Sequence, residues 1–544
     1  MKLSKLSASL LILFVAFAVL VGSLSAVQSR MNAIRIDQEL TDTEPLENAP
    51  PMVAFTTVAL GGFRGLVADY LWLRSQRMQD LGNYFETVQL ASWITKLQPR
   101  FTGAAAFLAW NMAYNVSVTF TRPEDRWRWV QRGIELIRDE ALVYNPSDPE
   151  LFQQLGWIYQ HKLGKDLDDA NRYYKTQFAY EMIRVFGHVA NRWDIIAQGA
   201  LSPAKLEAQV GTEAYAEFTK ILAAQAWTFA DFEREFRDSA EGRIPDSVGK
   251  AIGDLGIYPQ VDTCLRHRWL LYHYRLDPAT IDVITQAFGP LDWRLPEAHA
   301  IYWAFRGLRE WSKSEDQFKA LQCDRMIFQS LNAAFQGGQL VVYNVNDTLE
   351  LEMRPNLYVA DACRQYYTDA MDKYGDQTIH GAFENFMVDA VVNFYKYGSR
   401  GKAKEYYDDG KKRFAYRFRN SDLDSFSLKE LEEDIAMMSY NQGQSTVQGY
   451  LIYACYALAL ANQEDTVAYE RTAQAVYAKY QSDIGDGTKK RRGLPPYVQM
   501  KRNAVQYCYQ NFPPELVSAL RAALESERAG ALAVPDKAPV PANP

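Results

Sequence analysis

The sequence predicts an all-α chain: helical hairpins in an irregular helical-repeat solenoid, preceded by one membrane-spanning helix and interrupted by a small β-hairpin. Three observations predict it. Apolar residues recur at helical spacing along most of the 544 residues. Aromatic residues reach 13%, with Tyr 33, Phe 27 and Trp 12, an excess that suits helix pairs wedged apart by rings. Pro99 and Pro146 each end a helical run where the next begins. Such an array grows by adding neighbouring units, so a chain of this length needs no single large core.

At the N-terminus, Leu6 to Val27 carries no charged side chain. At about 1.5 Å per residue, a helix of this length spans the roughly 30 Å hydrocarbon core of a bilayer. Lys2 and Lys5 precede it, and the positive-inside rule keeps them in the cytoplasm with everything after Gln28 translocated. The competing reading is a cleaved signal peptide, with Leu10 to Val21 as its apolar core and Gly22, Ser23, Ser25 and Ala26 as the small residues after it. The absence of a clean Ala-x-Ala site favours a retained anchor over residues 1–27, single-pass, in an inner membrane. Residues 28–51 read as a polar, acidic spacer ending in Asn48-Ala49-Pro50-Pro51.

Residues 52–187 read as N-terminal hairpins. The first pairs Val67 to Leu81 with Phe85 to Leu97 around Gly82-Asn83. Gly61, Gly62 and Gly65 precede it without the strand or the Gly-Lys-Ser/Thr of a phosphate loop, so close helix packing explains them better. The second pairs Phe101 to Phe120 with Asp125 to Tyr144. Asn111 and Asn115 share one face of the first of these helices, where an amide needs a partner from a neighbouring helix or loop. Arg126, Arg128, Arg132 and Arg138 alternate with Asp125, Glu135, Asp139, Trp127 and Trp129, the pattern of a salt-bridged, ring-stacked face.

The third hairpin, Pro149 to Phe178, carries Phe152, Leu155, Gly156 and Tyr159 at the W-x2-L-G-x2-Y spacing, and Ala170 and Tyr174 at A-x3-F. It resembles a tetratricopeptide (TPR) hairpin. Gln177 and Met182 depart from the pattern, and Pro99 and Pro146 lie further apart than its roughly 34-residue repeat, so the array is TPR-like and degenerate. With GGFRG, QLASWITKLQPRF, AWNMAYN, DRWRWV and DWRLPEAHAIYWA, the layout also resembles membrane-anchored helical-repeat proteins of bacterial envelopes, many of unassigned activity. That resemblance implies partner binding in a concave groove and carries over no catalytic residue.

Residues 188–292 read as an irregular helical subdomain cut by Gly242, Pro245, Gly249 and Gly253. Its Cys264, His267 and His273 do not make a metal site, because His273 lies about 240° around a helix from His267. Residues 293–338 read as a hairpin starting at Pro296-Glu297, and 339–355 as a strand pair turning near Asn344-Val345-Asn346-Asp347. Residues 356–528 return to helical repeats, with Ala403, Tyr407 and Gly410 again at the TPR second-helix spacing. Asp486 to Pro496 reads as a solvated basic loop and 529–544 as a disordered tail.

A net charge of −7 argues against nucleic acid as partner. Five scattered cysteines with no Cys-x2-Cys encode neither a disulfide framework nor a zinc ribbon. No catalytic motif, metal site or cofactor fingerprint is present. The acidic clusters Asp166/Asp168/Asp169 and Glu430/Glu432/Glu433/Asp434 read as solvated faces. The sequence therefore predicts a non-enzymatic, membrane-tethered scaffold that binds a protein or peptide on the periplasmic side of a bacterial envelope. Trp110, Asn111, Tyr114, Trp157, Tyr159 and His161 are its candidate groove residues. The alternative is an extracytoplasmic protein that binds or hydrolyses glycans through an aromatic-lined cleft.

Overall fold

The structure, a computed structural model, describes residues 5–37, 63–165, 167–187, 193–312, 317–345, 348–397, 399–419, 422–436, 440–483 and 493–532. These form an all-α protein with one two-stranded sheet. Helix α1 (Lys5–Asp37) contains one stretch, Leu13–Met31, long and apolar enough to cross a membrane, and Phe14 and Phe17 on it are exposed. The helix runs on to Asp37, so the first part of the expected spacer is helical; Ser29 to Asp37 holds no Pro or Gly to stop it. Residues 38–62, with the rest of the spacer and Gly61-Gly62, lie outside the described residues.

Helices α2 (Phe63–Asp80) and α3 (Tyr84–Leu97) form the first hairpin, α4 (Thr102–Asn111) and α5 (Pro123–Glu135) the second, and α6 (Pro149–Trp157) and α7 (Asn171–Phe186) the third. Their starts are encoded locally. Pro123 with Glu124 and Asp125 opens α5, and the Asp148 carboxylate accepts the Leu151 N–H at 2.9 Å to cap α6. Their ends depart from the sequence reading. α4, α5 and α6 each widen into a π-helical segment, Met112–Val116, Leu136–Ala141 and Ile158–Gly164, and the helix Tyr258–Arg268 does the same over Trp269–His273.

Two glycines sit at close helix crossings. A Cβ on Gly133 would lie 2.6 Å from the Ala109 carbonyl oxygen, so α4 and α5 touch backbone to backbone. A Cβ on Gly156 would meet Ala304 N at 3.2 Å and Ala300 O at 3.3 Å. The motif glycine therefore serves a close crossing, but its partner is the distant helix Pro296–Trp311, where Trp303 stacks on Phe152 at 5.9 Å.

Residues 193–288 form short helices, and Pro296–Trp311 pairs with Gln317–Gly337. Strands β1 (Gln339–Val345) and β2 (Thr348–Arg354) pair antiparallel from Gln339↔Arg354 to Val345↔Thr348; Asn346 and Asp347 between them lie outside the described residues. The pair is clamped at its base: the buried Arg294 donates to the Leu340 carbonyl at 2.7 Å, and Asp292 accepts the Leu340 N–H at 2.9 Å. The C-terminal helices run from Ala360–Tyr374 to Pro514–Leu532, so residues 529–532 of the expected tail are helical. Residues 484–492, with the first part of the basic loop, and 533–544 lie outside the described residues. All five cysteines are buried, and none is in a disulfide.

Candidate functional site

The first three hairpins place a ladder of rings on one face. Trp72 meets Phe107 at 5.3 Å between centroids, Phe107 meets Trp110 at 5.9 Å and Trp110 stacks on Tyr114 at 5.8 Å. Tyr114 contacts His161 at 5.7 Å, and His161 stacks on Trp157 at 4.5 Å and 13°. Phe107 is 41% exposed and the others are half-buried. Four of the six residues expected in a groove are thus brought together. Asn111 and Tyr159 are not. Asn111 is buried, exchanging hydrogen bonds with Gln79 and accepting one from Asn115 at 2.8 Å, the cross-helix partnership its amide required. Tyr159 turns inward against Phe178 and His299. Elementary helix geometry accounts for both: one residue from Trp110 is about 100° around, and two from Trp157 about 200°.

The ladder rests on a buried ion cluster. Lys162 lies over the Tyr114 ring at 5.3 Å and bonds Asp168 at 2.5 Å; Asp168 also accepts from Arg126 at 2.5 Å and the Ala170 N–H at 2.9 Å. Burial opposes ionisation of Asp168, but these donors outweigh it and hold the carboxyl down at about 2. Asp168 was expected in a solvated turn; a side chain only 7% exposed, with two cations on it, corrects that. Asp169 remains exposed and Asp166 lies outside the described residues. In the second acidic cluster, Glu430 is likewise buried, bonded by both Arg417 Nη atoms at 2.9 and 2.6 Å. The arginine face of α5 is salt-bridged as its pattern predicts, Arg128 to Asp125, Arg132 to Glu135 and Arg138 to Asp139.

Behind the ladder, where Tyr159 points, lies a cavity of about 380 Å³ between α5 with its π segment, α7, and the helices ending at Asp238 and His273. Arg138, Glu181, Arg184 and Arg237 line it beside Trp127 and Trp269. Arg138 is bonded by Nε and Nη2 to Asp139 at 2.8 and 2.7 Å. Arg184 donates to the backbone carbonyls of Arg237 and Ser239, and its ring partner is Trp269 at 5.4 Å. Glu181 accepts from Gln131 at 2.5 Å; burial raises its carboxyl to about 7 against the pull of Arg138 and Arg184. Burial also raises the Tyr159 and Tyr274 phenols, so both stay protonated donors, while desolvation and Arg138 lower the His273 imidazole.

Sequence reasoning missed this cavity. One signal was legible: on α7, Glu181 shares a face with Phe178 and Arg184, a carboxylate inside an apolar run. Cys264 and His267 are buried apart from it, His267 Nδ1 lying 2.7 Å from the Gly199 carbonyl. Among the described residues no group of His, Cys, Asp and Glu could hold a metal ion. No family model, curated protein or solved structure matches the chain.

Proposed function

We propose that this protein is a membrane-tethered, non-enzymatic scaffold that docks a protein or peptide partner on the ring ladder from Trp72 to Trp157. The observation that carries the reading is the continuity of the ladder: six rings from three successive hairpins in unbroken contact, with Phe107 exposed. Aromatic side chains bury large areas at low entropic cost and dominate binding hot spots. In this reading the hairpins stack as an irregular TPR-like solenoid. α1 anchors the chain once in the inner membrane, its bulk lies in the periplasm, and tethering supplies effective concentration.

Hydrolysis of a glycan would need two carboxylates facing across a cleft at a set separation. In the polar cavity, Glu135 is already bonded to Arg132 at 2.6 Å and Asp238 is exposed, which leaves Glu181 alone, so the scaffold reading is preferred.

A Phe107→Ala/Trp110→Ala double variant, expressed at full length and purified from solubilised membranes, tests the proposal. Proteins co-purified with the wild type are expected to be lost from the variant; identical partner sets from both would sink it. A reporter fused after Gln28 tests the topology independently, and a cytoplasmic signal would rule it out.

A further inference from the structure

From the polar cavity behind the ladder we infer a second, separate site: one that binds a small organic anion, a carboxylate or phosphate carried on a compact apolar body. The cavity's donors exceed its acceptors. Arg184 Nε and Trp269 Nε1 belong to lining side chains, are buried, and have no hydrogen-bond partner. A buried donor left unmade costs about 1–3 kcal/mol, so two in one cavity mark a place where a ligand's acceptors are missing.

The charges point the same way. Arg138 is neutralised by Asp139. Arg184 donates through Nη2 to neutral carbonyls, and Arg237, half-buried at the rim, makes no ion pair among the described residues. Two guanidinium charges are therefore available to whatever enters. Of the facing carboxylates, Glu135 is held by Arg132, Asp238 is exposed, and Glu181 is the one set inside. Guanidinium suits carboxylate and phosphate alike through paired N–H donors. The walls are ring faces, Trp127, Trp269, Phe178 and Tyr159, which suit an apolar body. A cavity of about 380 Å³ takes on the order of a dozen non-hydrogen atoms.

Glu181 couples such binding to protons. Burial lifts its carboxyl to about 7, and it faces Glu135 and Arg138 from α5 and its π segment, Tyr159 from the segment after α6, Arg184 on its own helix, and Arg237, Asp238, His273 and Tyr274 from further along the chain. A bound anion disfavours ionised Glu181 and raises its pKa further, so binding takes up a proton and weakens as pH rises through about 7.

The test is calorimetric titration of the full chain in detergent with benzoate and phenyl phosphate, with benzyl alcohol as the uncharged control. At least one anion is expected to bind and benzyl alcohol not to. Arg237→Ala, a rim change that leaves the backbone carbonyl used by Arg184 in place, should weaken binding about tenfold or more. Glu181→Gln should keep the affinity measured near pH 6 and abolish its decline towards pH 8, read with benzoate, whose charge is constant over that window. The inference is overturned if no anion binds at about 10 mM, well above typical site affinities, if benzyl alcohol binds as well as benzoate, or if Arg237→Ala leaves affinity unchanged while its melting curve matches the wild type.

Discussion

The cavity beneath the ladder and the cluster around Asp324 are both polar groups set among aromatic rings, yet one is open and the other closed. Asp324 is buried and accepts from Tyr366 and Tyr374 hydroxyls, each at 2.5 Å, and from Lys373 at 2.9 Å; the surrounding rings are core, Tyr367 stacking on Phe383 at 5.3 Å and 3°. Every strong group there has its complement inside the protein. In the cavity, Arg184 Nε and Trp269 Nε1 have none. The Asp324 region is built on unbroken helices, Ala360–Tyr374 and Gln317–Gly337, whereas three π segments, Leu136–Ala141, Ile158–Gly164 and Trp269–His273, contribute walls to the cavity. A π turn inserts one residue into the ladder of backbone bonds and re-aims the side chains beyond it, a device often found at functional sites. Identical residue types serve as mortar in one region and as an unfinished surface in the other.

The contrast is broken most severely where closure is removed. Tyr367→Ala empties a core position and is expected to cost about 3–5 kcal/mol in denaturant unfolding; Asp324→Ala leaves two phenols without their acceptor, at about 2–4 kcal/mol. Glu181→Gln should stay within about 1 kcal/mol near neutral pH, because its site is already incomplete. Equal losses would mean that the cavity is as closed as the Asp324 cluster. Next comes Gly133→Ala, where a methyl group enters the α4–α5 crossing at 2.6 Å from a carbonyl oxygen: overpacking of about 1–3 kcal/mol is expected, with no change from Gly253→Ala, whose Cβ meets nothing within 4 Å, beyond its helix propensity.

The pH dependence differs in sign between Asp168 and Glu181. Asp168 is depressed in the folded state, so its contribution is present above the unfolded carboxyl range of about 4 and is lost as pH falls through about 2. Glu181 is raised, so its contribution is present below about 4 and is lost as pH rises through about 7. Unfolding curves of Asp168→Asn and Glu181→Gln against the wild type should therefore diverge from it in opposite directions of pH. The smallest effect is expected on the ladder itself: Phe107→Ala, at an exposed ring, should shift stability by only about 0.5 kcal/mol in the same assay while removing partner capture.

Much of this fold was legible because its signals are local. Helical period, Pro296-Glu297 as a helix start, and Pro99 and Pro146 as stops depend on neighbours in sequence, and the strand pair over 339–354 was visible as alternation. The π segments were not legible, since widening a turn by one residue is decided by what packs against it. Trp110 and Tyr114, like Trp157 and His161, stand four residues apart and share a helix face, whereas Asn111 and Tyr159 were drawn in by residue type although their angular position sends them inward. Asp168 was misread for a related reason: a turn aspartate looks solvated until Arg126 and Lys162 are known to converge on it.

The crossing of α6 with Pro296–Trp311 also bears on how the chain reaches its folded state. Gly156 and Phe152 find their partners, Ala300, Ala304 and Trp303, only after a further stretch of chain as long as a small domain has been made. A hairpin array that closed neighbour by neighbour would fold through local contacts and quickly; here the third hairpin waits, with loop-closure entropy to overcome before its contacts form. Truncations ending before Trp311 should accordingly leave α6 without its partner helix, sticky and aggregation-prone in a sedimentation assay.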